Sequence, residues 1–92
     1  MNRSELTAAV AEQAGLTTQQ AGAAVAATLD AITKAVASGD SVTVPGFGTF
    51  EPRQRSARTG RNPQTGEAMD IPASVAPAFK PAAAFKKLVS EG

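Results

Sequence analysis

The chain contains no cysteine and no histidine. Disulfides and thiolate metal ligands are therefore excluded, and so are the commonest general base and the commonest metal ligand. Tryptophan and tyrosine are also absent, which leaves four phenylalanines as the whole supply of ring surface. No uninterrupted apolar run approaches the ~18 residues that suggest a membrane helix. The opening "MNRSELTAAV" is charged and lacks the basic-then-apolar order of an export signal, so none is expected. The carboxylates are scattered, and none sits beside a plausible nucleophile. "GFGTF" lacks the lysine and the following helix of a phosphate loop. No catalytic residue, cofactor or metal site is expected, and the default is a soluble cytoplasmic protein that is not an enzyme.

What the chain does have is an uneven charge. The net charge is only +1 over 92 residues. Residues 1–51 carry −3, and residues 67–92 are balanced. Residues 52–66 hold Arg53, Arg55, Arg58 and Arg61 with no acid, a local +4. Any attraction for a polyanion is concentrated there. The length fits one domain, residues 1–92. A domain this small buries only about 60–65% of its unfolded surface, so oligomerisation is a plausible remedy for a marginal core.

The periodicity changes along the chain. Asn2 with Glu5 reads as a helix start, and Leu6, Val10 and Ala14 share one helical face up to Gly15. Thr17 with Gln20 reads as a second capping box, with Leu16 as a staple. A long helix follows with Val25, Leu29, Ile32 and Val36 as its apolar stripe and an Asp30–Lys34 pair outside. Residues 1–39 thus form a helical hairpin. "SVTV" alternates as a strand, "PGFG" is a turn, and "TFEPRQRSAR" is a strand that becomes arginine-rich. "RNPQTG" is a turn and "EAMDIPASVAPAF" a returning strand. Pro52, Pro72 and Pro77 suit an exposed two-stranded ribbon rather than a central strand. Gly60 and Gly66 are expected to allow its tight turn. Residues 40–80 therefore make a sheet with a β-ribbon arm over about residues 53–75. Pro81 suits the first turn of a C-terminal helix over 81–92, with Ala84, Phe85, Leu88 and Val89 as its apolar face. The fold class is α+β.

A charged edge strand can serve only to prevent aggregation. Here the charge has one sign, and it leads to a turn that offers an apolar wedge, Pro63, beside Arg61 and Asn62. A two-stranded ribbon is narrow enough for a DNA groove. Arginines along it can meet phosphates and the negative potential of a narrow minor groove. A proline at its tip can enter a base step and kink the duplex.

At these residues the chain resembles the HU/IHF family of bacterial DNA-bending proteins, and HU more than IHF. The family signature is readable as Gly46-Phe47, Phe50, Arg55, Arg58, Gly60, Asn62-Pro63 and Thr65-Gly66. "MNRSEL", "VAEQAGL", "IPAS" and "PAFKP" extend the likeness over nearly the whole chain. Architectural minor-groove binding with intercalating side chains is a known mode of this family. The resemblance implies an intertwined dimer with a three-stranded antiparallel sheet, two long arms and a short C-terminal helix. The pairing is with a second copy or with a paralogue. It also implies largely sequence-nonspecific bending and compaction of double-stranded DNA, association with the nucleoid, and no membrane partner. It assigns Arg53, Arg55, Arg58, Arg61, Asn62, Gln64 and Thr65 as arm contacts and Pro63 as the intercalating wedge. Arg3, Lys80 and Lys86 become body contacts to flanking phosphates. Leu29, Val42, Val44, Phe47, Phe50 and Phe79 become the dimer core.

There are departures. "TTQQAGAA" at residues 17–24 lacks the lysines that family members often carry there, and Ala83 stands where many have a basic residue. The arms should therefore carry more of the affinity than is usual. A different reading is a sequence-specific regulator, because "VAEQAGLTTQQAGAAV" resembles a helix-turn-helix. Only Thr18, Gln19 and Gln20 could then reach base edges before alanines take over. A purely structural dimer with a charged ribbon is a third reading.

Overall fold

The fold was obtained as a computed structural model that describes residues 1–92. It comprises two compact units, residues 1–35 and 36–92. In the first, α1 (Arg3–Ala14) begins where the Glu5 N–H donates to Asn2 Oδ1 at 2.9 Å. It ends at Gly15, whose φ of 67° is the left-handed conformation that a Cβ disfavours. The next helix, α2 (Thr18–Ala37), is opened by a reciprocal capping box. The Gln20 N–H donates to Thr17 Oγ1 at 3.1 Å, and the Thr17 N–H donates to Gln20 Oε1 at 3.0 Å. Two otherwise orphaned donors are satisfied in this way. Lys34 and Asp30 meet at 2.9 Å on the exposed side.

Little of the hairpin is buried within one chain. The buried apolar residues are Ala11, Ala21 and Val25, and no large side chain is fully buried. Leu6 and Leu29 remain exposed, and they line an open apolar groove with Val10 and Val25. Leu29 therefore lies on the expected stripe but is uncovered.

The second unit holds the sheet. Strands β1 (Val42–Val44), β2 (Gly48–Arg55) and β5 (Ser74–Pro81) form an antiparallel sheet in the order β1-β2-β5. Strands β3 (Arg58–Arg61) and β4 (Ala68–Ile71) form a separate two-stranded ladder. The "PGFG" turn is closed by the Phe47 N–H donating to the Val44 carbonyl at 3.0 Å. The placing of the prolines follows from the pairing. β1 covers β2 only at residues 48–50, so Pro52 lies beyond the central stretch and has a partner on one side only, Pro77. Residue 52 needs no donor towards β1.

Three expectations from sequence are corrected. The ribbon is not one continuous ladder; it is interrupted at Ser56 and Ala57 on one strand and at Pro72 and Ala73 on the other. Pro72 has no N–H to offer a ladder there. Pro81 does not open the last helix but ends β5, and α3 is Ala83–Glu91 with Ala82 as its N-cap. The Ala82 N–H instead donates to the Phe47 carbonyl at 2.9 Å, which ties the strand-to-helix junction to the turn. Of the expected apolar face of α3, only Phe85 is partly covered; Leu88 and Val89 stand largely exposed.

Phe85 joins a cluster with the three rings expected at the core. Phe47 stacks on Phe85 at 5.0 Å between centroids, Phe50 lies 4.8 Å from Phe79, and Phe79 lies 5.4 Å from Phe47. Offset contacts of this kind add about 0.5–1.5 kcal/mol per pair beyond area burial. Gly48 makes the cluster possible. A Cβ there would come within 2.5 Å of the Phe79 ring and 2.6 Å of the Lys80 carbonyl. The rings are nevertheless poorly covered, since Phe47 is 44% and Phe79 38% exposed.

Candidate nucleic-acid interface

The arm gains its character from register. Arg55 pairs with Ser74, and Arg58 with Ile71. Two residues intervene on each strand, so pairing resumes in the same register beyond the break. In β2–β5 one face carries Arg53 and Arg55, opposite Ala76 and Ser74, and in β3–β4 one face carries Thr59 and Arg61, opposite Asp70 and Ala68. The other faces carry Gln54 in β2, opposite Val75, and Arg58 and Gly60 in β3, opposite Ile71 and Met69. The four arginines grouped by sequence therefore divide. Arg53 and Arg55 share the polar face of β2–β5 and Arg61 that of β3–β4, whereas Arg58 pairs with the half-buried Ile71 on the other face of β3–β4.

Gly60 has a role other than the expected turn. It sits inside β3, and a Cβ on it would fall 2.8 Å from Ile71 Cδ1. Its lack of a side chain gives Ile71 a place to lie across the ladder. The turn itself is made at residues 62–67. The Asn62 N–H donates to the Glu67 carbonyl at 2.9 Å, and the Gly66 N–H donates to the Asn62 carbonyl at 2.7 Å. The Gln64 N–H donates to Asn62 Oδ1 at 2.9 Å, and the Glu67 N–H donates to Thr65 Oγ1 at 3.3 Å. Gly66 takes the one left-handed position, with φ of 73°. Asn62 and Thr65 thus bind the tip internally, while Pro63 and Gln64 are exposed at its end. Arg61 Nη1 lies 3.5 Å from the Gly66 carbonyl, beside the tip.

The polar face that carries Arg53 and Arg55 runs back along the three-stranded sheet. Lys80 pairs with Thr49, one step along from Glu51. Glu51 Oε1 lies 3.8 Å from Arg53 Nη2 and 4.0 Å from Lys80 Nζ. Lys86 is exposed on α3, and Arg3 is exposed in the first turn of α1. Among the dimer-core candidates Val42 and Phe50 are partly covered, while Val44, Phe47 and Phe79 are exposed. No cluster of three or more acidic, histidine or cysteine side chains is placed to hold a metal ion. No helix is long and apolar enough to cross a membrane.

Known proteins share this arrangement from end to end. The family model described as "Bacterial DNA-binding protein" matches residues 1–90. The DNA-binding protein HU of Geobacillus stearothermophilus is 57% identical over 89 residues, covering 97% of this chain and 99% of that protein. The SPbeta prophage-derived DNA-binding protein HU 2 of Bacillus subtilis (strain 168) is 55% identical, covering 97% of each chain. An Anabaena HU–DNA cocrystal structure superposes with a TM-score of 0.93 at 51% identity, covering all of both chains. With the arm, its arginine row and the proline tip all present, and with likeness at this level across the full length, the chain belongs to the HU family of bacterial DNA-binding proteins.

Proposed function

We propose that the protein is an architectural, largely sequence-nonspecific binder of double-stranded DNA, which it bends and compacts as a dimer. The observation that carries this reading is the arm. Arginines on the polar faces of both ladders lead to an internally hydrogen-bonded tip that leaves Pro63 exposed. Arg53, Arg55 and Arg61 suit contacts with phosphates along a groove. Arg58, Asn62, Gln64 and Thr65 suit the groove interior, and Pro63 suits a base step. Arg3, Lys80 and Lys86 serve flanking phosphates. The family's solved complex with DNA supports the class of ligand. A cytoplasmic, nucleoid-associated location follows from that ligand.

Dimerisation is supported by what one chain leaves uncovered. Leu6, Leu29, Val44, Phe47 and Phe79 are all exposed, and a second copy is the occupant that the family architecture supplies. A dimer of this kind buries Leu29, Val42, Val44, Phe47, Phe50 and Phe79 together. The helix-turn-helix alternative is weakened because the start of α2 offers few side chains for base edges, and the Gln20 side-chain oxygen is already taken by the Thr17 N–H.

The test separates binding from bending. Pro63→Ala should reduce the bend angle, read by fluorescence energy transfer on end-labelled duplexes, more than it reduces affinity for plain duplex at low salt. Arg61→Ala should do the reverse. Unchanged bending by Pro63→Ala refutes the wedge. Sharp preference for one duplex over random sequence refutes the architectural reading.

A further inference from the structure

We infer that Glu51 is an affinity-setting residue, an internal anion that competes with DNA phosphate for Arg53 and Lys80. The inference rests on the proposed reading of those two cations as DNA contacts. Register places Lys80, Glu51, Arg53 and Arg55 on one face of the three-stranded sheet, where the arm leaves it. Glu51 is the acid at the root of this row. Its side chain is 27% exposed, against 57% for Arg53 and 68% for Lys80. The carboxylate is therefore held in the sheet surface between two more exposed cations.

Geometry decides what it does there. At 3.8 and 4.0 Å from its partners, Glu51 makes loose ion pairs rather than short, charge-assisted hydrogen bonds. Loose pairs fix side-chain geometry poorly, so Glu51 does little to hold Arg53 or Lys80 in a DNA-ready pose. Its charge still acts. One carboxylate beside two cations halves their combined excess of positive charge where the arm leaves the sheet. A phosphate arriving at Arg53 or Lys80 has the same charge as Glu51 and must displace it or share the cation. Exposed pairs of this kind are weak and screened by salt, so the competition is modest and greatest at low ionic strength.

The experiment measures the affinity of the full-length protein for a random-sequence duplex across a salt series. Glu51→Gln should bind about three- to tenfold more tightly at low salt, as expected for releasing two surface pairs, with the gain shrinking as salt rises. Glu51→Thr, suited to a strand, should behave alike, and thermal melts report whether each variant folds. Glu12→Gln on α1 is the control for a simple loss of one negative charge. Its gain should stay below about twofold. The decisive arm places Glu51→Gln in an Arg53→Gln/Lys80→Gln background, where its gain should vanish. Unchanged or weakened binding by both Glu51 variants overturns the proposal. A gain that persists in the double-variant background, or that Glu12→Gln matches, also overturns it, because the effect is then a general field. If Arg53→Gln and Lys80→Gln leave affinity unaltered, the assignment of those cations to DNA fails and carries this inference with it. If they weaken binding and Glu51→Gln does nothing, this inference alone fails.

Discussion

Truncating Phe47 distinguishes a solitary chain from a dimer by magnitude alone. The ring meets Phe50, Phe79 and Phe85, with its nearest centroid at 5.0 Å, yet it is 44% exposed. A phenylalanine covers roughly 150–250 Å² when fully buried. Just over half of that, at about 25 cal/mol per Å², makes Phe47→Ala worth roughly 2–3 kcal/mol in an isolated chain. If a second copy closes over the cluster, the loss rises to roughly 3–5 kcal/mol per chain, the range for large truncations in a packed core. A dimer contains two such sites and unfolds as a unit, so its melt should register roughly 6–10 kcal/mol. Urea unfolding at protein concentrations spanning a hundredfold supplies the second readout. A dimer gains about 2.7 kcal/mol of apparent stability over that range, whereas a monomer gains none. Phe47→Leu should retain enough packing to give a measurable transition if Phe47→Ala does not fold. A concentration-independent midpoint together with a loss near 2 kcal/mol would refute the reasoning, since the exposed rings would then simply face water.

Salt supplies a test of the arm. Two arms present eight arginines, four from each chain, and log K should fall against log salt with a slope as steep as roughly −5 to −7. A slope near −1 in a titration of duplex would show that the arms are not the binding element. Gly48→Ala should destabilise the fold by roughly 1–3 kcal/mol in urea melts, because its Cβ meets the fixed Lys80 carbonyl. Gly60→Ala should lose far less, because it meets only the mobile end of Ile71; equal losses would refute the distinction. Thr17→Ala should lower stability by about 1 kcal/mol through its cap, and no change in the melt would mean that the first turn of α2 is held by other contacts.

The helical half was legible because its signals are local. Asn2 with Glu5, Thr17 with Gln20, and Gly15 each act within one turn, and each does so in the fold. The basic stretch and its proline tip were legible from composition and turn chemistry. The features that were not legible depend on partners distant in sequence. Gly60 looked like a turn residue until its neighbour across the ladder, Ile71, was known. Pro81 suits a helix start, but pairing with Gly48 keeps it in β5. Phe85 has the spacing of a helix face, and only the turn at Phe47 shows which rings it joins. The partner of Arg58, Ile71, needed the register of the second ladder to be known.

The resumed register also gives the arm a ruler. Residues on one face recur every second position, which in an extended strand is about 6.6 Å. That repeat sets the spacing of Arg53 and Arg55 along the arm. An arm of different reach is consequently available only in quantised steps. Adding one residue to each strand between Arg55 and Arg58 would lengthen the ribbon but turn the outer arginines to the opposite side. Adding two to each would lengthen it by about 6.6 Å and preserve the face.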